Sequence, residues 1–331
     1  MASSRLSIRG FGRGPPSSRG DGHPSTLPAT QSLARALWQR RVPLIITHSA
    51  LGSLDDNNAS TGSGGSGEKQ TPPFYATTIP RFGYLAQLLP RLCAFFGRPC
   101  SSFHFEDVPL RNLPVGLLVD LYRPISLQGL GGDGIHDGSG GGRLTPWRLV
   151  VGDGEAWHLG DTFLNGAKEA DYVRYGSAKQ IMSLSKANTE ALWHAVQDND
   201  HTAFARVNGL LLNAPTPLRH IPLRIYIPTS APSASEVSNN AAAATAPTPA
   251  APGSYKVMQA LVTPQTSSRT PQTLGPALRS LLPLLFPSSR DPVLANVILH
   301  GAPVPFKAPL EELMREAAYP DGWLCLIVVL L

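Results

Sequence analysis

The segment Leu223-Arg-Ile-Tyr-Ile227 places apolar side chains at alternating positions, which is the pattern of a half-buried β-strand. The sequence after it predicts, in order, a second strand, a helix, a third strand, a short helix and a last strand. These elements are expected at residues 255–262, 273–286, 297–300, 310–314 and 323–331. Thr273 is the expected cap of the longer helix, and Pro276 falls in its first turn, where proline is tolerated. Residues 218–331 therefore predict one α+β domain.

Residues 42–152 predict the same order of elements. The strands are expected at 43–47, 74–79, 103–106 and 147–151, and the helices from about Pro90 to Gly97 and at 113–121. The two blocks also share a Pro-Leu-x-x-Leu segment at the predicted start of the short helix, from Pro109 to Leu113 and from Pro309 to Leu313. Strand, strand, helix, strand, short helix, strand is the order of the ubiquitin-like β-grasp fold. The chain therefore predicts two such domains.

Residues 155–214 carry no strand pattern and predict a small helical bundle. Sets of apolar residues mark four expected helices. The four sets are Trp157, Phe163, Leu164 and Ala167; Ile181 and Met182; Leu192, Trp193, Ala195 and Val196; and Phe204, Val207, Leu210 and Leu211. Asn188 or Thr189 is the expected N-cap of the third helix, with Glu190 in its first turn. A separate N-terminal helix is expected at 31–41, where apolar side chains share one face.

Low-complexity segments separate these blocks. Residues 1–30 are rich in Ser, Gly, Pro and Arg and predict a disordered tail. Residues 53–73 and 126–145 predict inserts in the first β-grasp domain, and residues 229–254 predict an insert in the second. The predicted fold class is therefore α+β, with two ubiquitin-like β-grasp domains flanking a small helical bundle, a disordered N-terminal tail and low-complexity inserts.

Composition narrows the function only slightly. The formal net charge of +5 permits a weak attraction to acidic surfaces but selects no class of partner. The three cysteines are an odd number without metal-type spacing, which predicts free thiols in a reducing compartment. The longest apolar run, residues 323–331, is half of the roughly 18 residues that a membrane-spanning helix needs. A cytoplasmic protein is expected.

No residue pattern predicts a catalytic, metal or cofactor site. Gly129-Leu-Gly-Gly-Asp-Gly134 fits the dinucleotide-binding string, but a Gly-rich run follows it where a helix is required. Cys93 and Cys325 fall on apolar faces, which is typical of inert buried thiols, and Cys100 has no partner in the sequence. Three histidines stand at strand ends, where a structural role is expected: His48, His220 and His300.

Longer strings carry a family resemblance. In the first half they are Arg41-Val-Pro-Leu-Ile-Ile-Thr-His-Ser-Ala-Leu-Gly52 and Leu113-Pro-Val-Gly-Leu-Leu-Val-Asp-Leu-Tyr122. In the middle they are Ala167-Lys-Glu-Ala-Asp171, Met182-Ser-Leu-Ser-Lys186 with Leu192-Trp193, and Arg219-His-Ile-Pro-Leu-Arg-Ile-Tyr226. Near the end they are Thr273-Leu-Gly275, His300-Gly301, Pro309-Leu-Glu-Glu-Leu313 and Tyr319-Pro-Asp-Gly-Trp323. Together they resemble the autophagy protein 5 family, in its fungal form, over residues 33–52, 74–122, 146–227 and 255–331.

The resemblance implies that Lys168 accepts the ubiquitin-like autophagy protein 12 through an isopeptide bond. Lys168 is one of only six lysines, at positions 69, 168, 179, 186, 256 and 307. A lysine attacks a thioester as the neutral amine, and near pH 7 about one ordinary lysine in a few thousand is neutral. The adjacent Glu169 and Asp171 favour the charged form. We therefore interpret Lys168 as a presented attachment site whose proton the conjugating enzyme removes, not as a catalytic residue.

The resemblance also implies the partners of the conjugate. It implies binding to the N-terminal helix of autophagy protein 16 and transient contact with the activating and conjugating enzymes of the pathway. It further implies, with the lipid-conjugating enzyme, transfer of autophagy protein 8 to phosphatidylethanolamine during autophagosome formation. Peripheral association with the preautophagosomal structure membrane and weak contact with an acidic membrane surface are expected, and binding of nucleic acid is not. The chain departs from the family at Gly166-Ala167, where a bulky residue often precedes the lysine, and this bears on local helix stability.

Two other functions stay open at this point. One is an interaction module with two ubiquitin-like domains and no covalent modification. The other is a cysteine hydrolase, which would need a reactive thiol. The segment Val328-Val-Leu-Leu331 is expected inside a strand, so the chain is expected to receive a modifier and not to donate one through a flexible diglycine tail. Mutation of Lys168 separates the first two functions, and thiol reactivity tests the third.

Overall fold

The computed structural model describes residues 32–52, 72–122, 145–154, 159–228 and 255–331. The predicted tail, nearly all of the predicted inserts, the Gly129–Gly134 string and Trp157 lie outside these residues. The described residues contain two five-stranded sheets, with a group of helices between them in the sequence.

The first sheet has the strand order β2-β1-β5-β3-β4. Its strands are β1 (Arg41–His48), β2 (Phe74–Pro80), β3 (Ser102–Phe105), β4 (Val108–Pro109) and β5 (Trp147–Gly152). β1 pairs antiparallel with β2 and parallel with β5, so the first and last strands lie side by side. The helices of this half are α1 (Leu33–Gln39), α2 (Ser49–Gly52), α3 (Leu89–Phe96), which follows a 3₁₀ turn at Leu85–Leu88, and α4 (Val115–Tyr122).

The second sheet repeats this topology in the order β7-β6-β10-β8-β9. Its strands are β6 (Ile221–Pro228), β7 (Tyr255–Val262), β8 (Ala295–Leu299), β9 (Ala302–Pro303) and β10 (Leu324–Leu330). β6 pairs antiparallel with β7 and parallel with β10, as β1 does with β2 and β5. Helices α9 (Leu274–Leu281) and α10 (Leu310–Ala317) belong to this half. The predicted α+β class with two β-grasp units is confirmed.

Four helices lie between the sheets in sequence: α5 (Leu159–Tyr175), α6 (Lys179–Met182), α7 (Lys186–Asp198) and α8 (His201–Leu212). The predicted cap of α7 is wrong. Ser185 is the N-cap, and its hydroxyl accepts a hydrogen bond from the backbone N–H of Asn188 at 3.2 Å. Asn188 and Thr189 therefore lie in the first turn of the helix.

The shared Pro-Leu-x-x-Leu segment does not mark equivalent positions. Pro109 ends β4, whereas Pro309 is the residue before α10. The structural counterpart of Pro309 is Pro114, the residue before α4. Each of these two prolines forms an isolated β-bridge to the residue that precedes the longer helical segment of its domain. The two bridges are Tyr84 with Pro114 and Thr273 with Pro309.

Helix α9 is also shorter than predicted. It ends at Leu281, and Leu282 leaves the helical region with φ −136° and ψ 62°. Pro283 follows, and the residue before a proline is disfavoured in the helical conformation. Thr273 occupies the N-cap position as expected, but its side chain makes no capping hydrogen bond.

Two buried apolar clusters organise the molecule. One lies within the first sheet and its helices and includes Leu44 and Trp147. The other runs from α5–α8 into the second sheet and includes Phe163 and Trp323. The helices of residues 159–212 and the second β-grasp unit thus share a core, and α5 contacts β6 directly.

Candidate functional site

Helix α5 carries Lys168 on its flank. The buried face of the helix is formed by Phe163, Ala167 and Ala170, whose spacing suits one side of an α-helix. Lys168 is partly buried, and Tyr172, one turn further along, is 61% exposed. Within the described part of the chain, the Lys168 ammonium group forms no hydrogen bond and no ion pair. The lysine is therefore a partly accessible side chain on a packed helix.

Gly166 lets α5 approach the second sheet closely. The indole N–H of Trp323 donates a hydrogen bond to the Gly166 carbonyl at 3.0 Å. A Cβ atom at position 166 would lie 3.2 Å from the Asp321 carboxylate. Helix α5 continues through this position. The absence of a side chain at position 166 thus allows a close contact between helix and sheet.

Arg224 links the helix to the same region of the second β-grasp unit. Its guanidinium contacts the Glu169 carboxylate at 2.7 Å and lies 3.7 Å from that of Asp321. The guanidinium carbon also stacks over the Trp323 ring, 3.9 Å from the ring centroid. Burial raises the pKa of Asp321, and the nearby Arg224 opposes the rise. We refer to Arg224, Glu169, Asp321 and Trp323 as the Arg224 network.

The two carboxylates next to Lys168 in the sequence have other partners. Glu169 pairs with Arg224, whereas Asp171 is fully buried and accepts a hydrogen bond from the backbone N–H of Ile181 at 3.0 Å. Burial raises the pKa of Asp171, and the Ile181 hydrogen bond opposes this. The sequence predicts that both carboxylates act on the charge of Lys168. In the structure each carboxylate interacts with another group instead, Glu169 with Arg224 and Asp171 with the Ile181 N–H.

A surface cavity of about 260 Å³ lies between α1, α8 and the end of α10. Its apolar lining comes from residues distant in sequence: Trp38, Phe82, Phe204, Leu212, Met314 and Tyr319. Polar side chains, including those of His201 and Glu316, also line it. Gly209 in α8 borders the cavity, and a Cβ atom placed there would meet no atom within 4 Å apart from its chain neighbours and the backbone of its own helix. The shape and chemistry fit an amphipathic segment.

One wall of this cavity is held by a buried contact between the two β-grasp units, which we call the Arg81 cluster: Arg81, Asp120 and His300. Arg81 forms an ion pair with Asp120 and donates to His300 Nδ1 at 3.4 Å. Phe82 and Tyr319, which line the cavity, pack their rings against His300. Burial, with Arg81 nearby, lowers the pKa of His300 to about 3. Arg81 is buried, so its positive charge is paired inside the protein and does not contribute to a basic surface.

The cysteines are free thiols. Burial raises the pKa of Cys100 to about 11, and the neighbouring Cys93 adds to the rise. Burial also raises the pKa of Cys325. Cys100 and Cys325 are thus protonated near pH 7, which counts against their action as nucleophiles. Among the described residues, no group of three or more His, Cys, Asp or Glu side chains could hold a metal ion, and no helix is long and apolar enough to cross a membrane.

Sequence reasoning singled out Lys168 but missed the Arg224 network and the cavity. Arg224 is the one charged residue in the apolar strand β6. Because a buried charge needs a partner, its position in the sequence indicates a paired acid. The string Tyr319-Pro-Asp-Gly-Trp323 carries a family resemblance and its Pro320-Asp-Gly322 predicts a turn, but nothing in it predicts a contact with α5. It forms a turn at Gly322, with φ +87°, that brings Asp321 and Trp323 to α5.

Comparison with known proteins agrees with this architecture. Residues 158–214 match the family model described as "Autophagy protein ATG5, alpha-helical bundle region", and residues 220–328 match "Autophagy protein ATG5, UblB domain". The chain is 56% identical to autophagy protein 5 of Chaetomium globosum over 92% of this chain and 91% of that protein. It is 53% identical to autophagy-related protein 5 of Gibberella zeae over 90% of this chain and 98% of that protein. The crystal structure of Kluyveromyces marxianus Atg5 superposes with a TM-score of 0.60 at 18% identity, over 90% of this chain and 99% of that one, which shows the shared fold.

Proposed function

This chain belongs to the autophagy protein 5 family and has a role in autophagy, and from that premise we propose that it is a non-catalytic scaffold joined covalently at Lys168 to autophagy protein 12. One observation carries the proposal. Lys168 lies on a helix packed against the second sheet, while its own ammonium group forms no ion pair within the described residues. No interaction of that kind has to be broken before the amine is used.

The proposed bond is an amide. The Lys168 Nζ atom attacks the thioester carbonyl that links the modifier to its conjugating enzyme, the carbon–sulfur bond breaks, and the enzyme thiol is released. The ammonium group loses one proton before the attack and a second as the amide forms, and the departing thiolate can take up one of the two. Because Glu169 and Asp171 are engaged with Arg224 and Ile181, we assign the removal of the proton to the conjugating enzyme.

The cavity between α1, α8 and α10 supports the proposed non-covalent partner. An amphipathic helix can bury its apolar face on Phe204 and Met314 and reach Glu316 with polar side chains. We assign this site to the N-terminal helix of autophagy protein 16. The conjugate, in this proposal, acts with the lipid-conjugating enzyme to transfer autophagy protein 8 to phosphatidylethanolamine, at the periphery of the preautophagosomal structure membrane.

Lys168→Arg tests the attachment site. The variant keeps the positive charge but removes the nucleophilic amine, so the reconstituted pathway should yield no conjugate with autophagy protein 12 on a reducing gel. Lys179→Arg is the matched control, because Lys179 is an exposed lysine at the start of α6 and its variant should conjugate normally.

A conjugate that persists in Lys168→Arg would overturn the assignment of the lysine. A wild-type chain that binds the autophagy protein 16 helix but never forms a conjugate would favour an interaction module without covalent modification.

A further inference from the structure

We propose that Arg224 is a positioning residue for conjugation: it holds the Lys168 segment of α5 in place against the second β-grasp sheet. This inference rests on the proposed attachment at Lys168. It adds that the second β-grasp unit, through one strand residue, determines how efficiently the lysine is used.

The Arg224 network contacts α5 on both sides of Lys168 in the sequence. Trp323 binds the backbone carbonyl of Gly166, two residues before the lysine, at 3.0 Å. Arg224 binds the side chain of Glu169, one residue after it, at 2.7 Å. Positions 166 and 169 are three apart and lie on one flank of a helix, whereas position 168 projects from a different flank. The network thus fixes the helix and leaves the lysine side chain free.

Arg224 is suited to this task by its shape. One terminal nitrogen of the planar guanidinium faces Glu169, the other terminal nitrogen faces Asp321, and the central carbon lies over the Trp323 ring. The Arg224 side chain is 16% exposed and that of Glu169 is 58% exposed. A partly exposed ion pair contributes little to global stability, so the main effect expected of this pair is on orientation. Lysine could not replace it, because an ammonium group neither stacks in this way nor binds two carboxylates in a fixed fork.

Orientation matters because the amine must meet a thioester held by another protein. Misplacement of a reacting group by about 1 Å can cost on the order of 100-fold in rate. Loss of the Arg224 contacts would let the Lys168 segment move relative to the rest of the surface that the conjugating enzyme binds. The rate of conjugation should then fall while the cavity between α1, α8 and α10 stays intact.

The experiment measures transfer of autophagy protein 12 from its preloaded conjugating enzyme to this chain, over a range of chain concentrations. The variants are Arg224→Met, Arg224→Lys, Glu169→Gln and the double variant Arg224→Met/Glu169→Gln. Lys186→Met is the control, since it removes an exposed ion pair with Glu190 on α7. Each variant is also tested for thermal unfolding and for affinity toward a peptide of the autophagy protein 16 N-terminal helix.

We expect Arg224→Met to lower the maximal transfer rate about tenfold. Arg224→Lys should not restore the rate. Glu169→Gln should cause a smaller loss, because stacking on Trp323 remains, and the double variant should be no slower than Arg224→Met. Affinity for the peptide should stay within about twofold of wild type, which a general loss of structure would not allow.

Wild-type transfer rates in both Arg224→Met and Glu169→Gln would overturn the inference. So would a loss of peptide affinity in Glu169→Gln that matches its loss of transfer. With either result, the assignment of Lys168 as the attachment site still stands if Lys168→Arg forms no conjugate. Persistent conjugation in Lys168→Arg would instead show that the proposed site is wrong.

Discussion

At the scale of single residues, His300 is a titratable group that is almost completely buried. It is buried between Phe82 and Tyr319, and its Nε2 atom lies 2.8 Å from the Ala317 carbonyl. The charged groups that face it are Arg81, Arg40 and, through Arg81, Asp120. Burial, with Arg81 and Arg40 nearby, favours the neutral imidazole and lowers its pKa to about 3.

This low pKa predicts a specific dependence of stability on pH. The folded state holds His300 neutral, whereas the unfolded chain binds a proton near pH 6.5, so stability is present above pH 6.5 and is lost as pH falls toward 3. The loss from this group should be about 2 kcal/mol between pH 7 and pH 5. Urea unfolding of wild type and His300→Gln at both pH values measures it, because glutamine keeps a donor for the Ala317 carbonyl but does not titrate.

The buried carboxyls Asp120, Asp171 and Asp321 have raised pKa values and shift stability in the opposite direction, but they are common to both proteins. The difference between wild type and His300→Gln therefore isolates the histidine. Equal pH dependence in the two proteins would contradict the assignment.

At the scale of elements, the order of strands and helices was predictable and the ends of some helices were not. Periodicity places α7 correctly around its buried residue Leu192, but it does not choose among the neighbouring polar residues as its cap. The choice is made by one contact, the hydrogen bond from Asn188 N–H to the Ser185 hydroxyl. The end of α9 shows the reverse case, since Pro283 was visible in the sequence and its effect on the preceding residue was overlooked.

Ser185→Ala tests the cap of α7. It removes the acceptor for the Asn188 N–H and should lower the free energy of unfolding by about 1 kcal/mol. Thr189→Ala is the control within the same turn, because the Thr189 hydroxyl only donates to the Ser185 carbonyl at 3.3 Å in an exposed position. Its expected loss is smaller. The midpoint of urea unfolding reports both effects, and a larger loss in Thr189→Ala would restore the cap predicted from sequence.

At the scale of the whole molecule, the proposed attachment lysine on α5 and the cavity between α1, α8 and α10 are separate features of one chain. The lysine was recognisable because it sits inside a single short string. The cavity was not, because its lining comes from α1, the turn after β2, α8 and the end of α10, and no local pattern records that these segments meet. The same is true of the Arg81 cluster and the Arg224 network. The first joins Arg81 to His300 and the second joins Arg224 to Glu169, and both contacts link residues far apart in sequence.

This separation predicts that partner-helix binding and conjugation can be lost independently. Gly209→Gln adds a long side chain at a position of α8 that faces open space, and glutamine is also a better helix former than glycine. The side chain should fill part of the cavity and weaken binding of the autophagy protein 16 helix peptide at least about tenfold, while transfer of autophagy protein 12 to Lys168 stays normal. Arg206→Gln, at an exposed position on the same helix, should leave both intact. Calorimetric titration of the peptide, beside the transfer assay, gives both readouts. Unchanged peptide affinity in Gly209→Gln would place the partner helix elsewhere on the molecule.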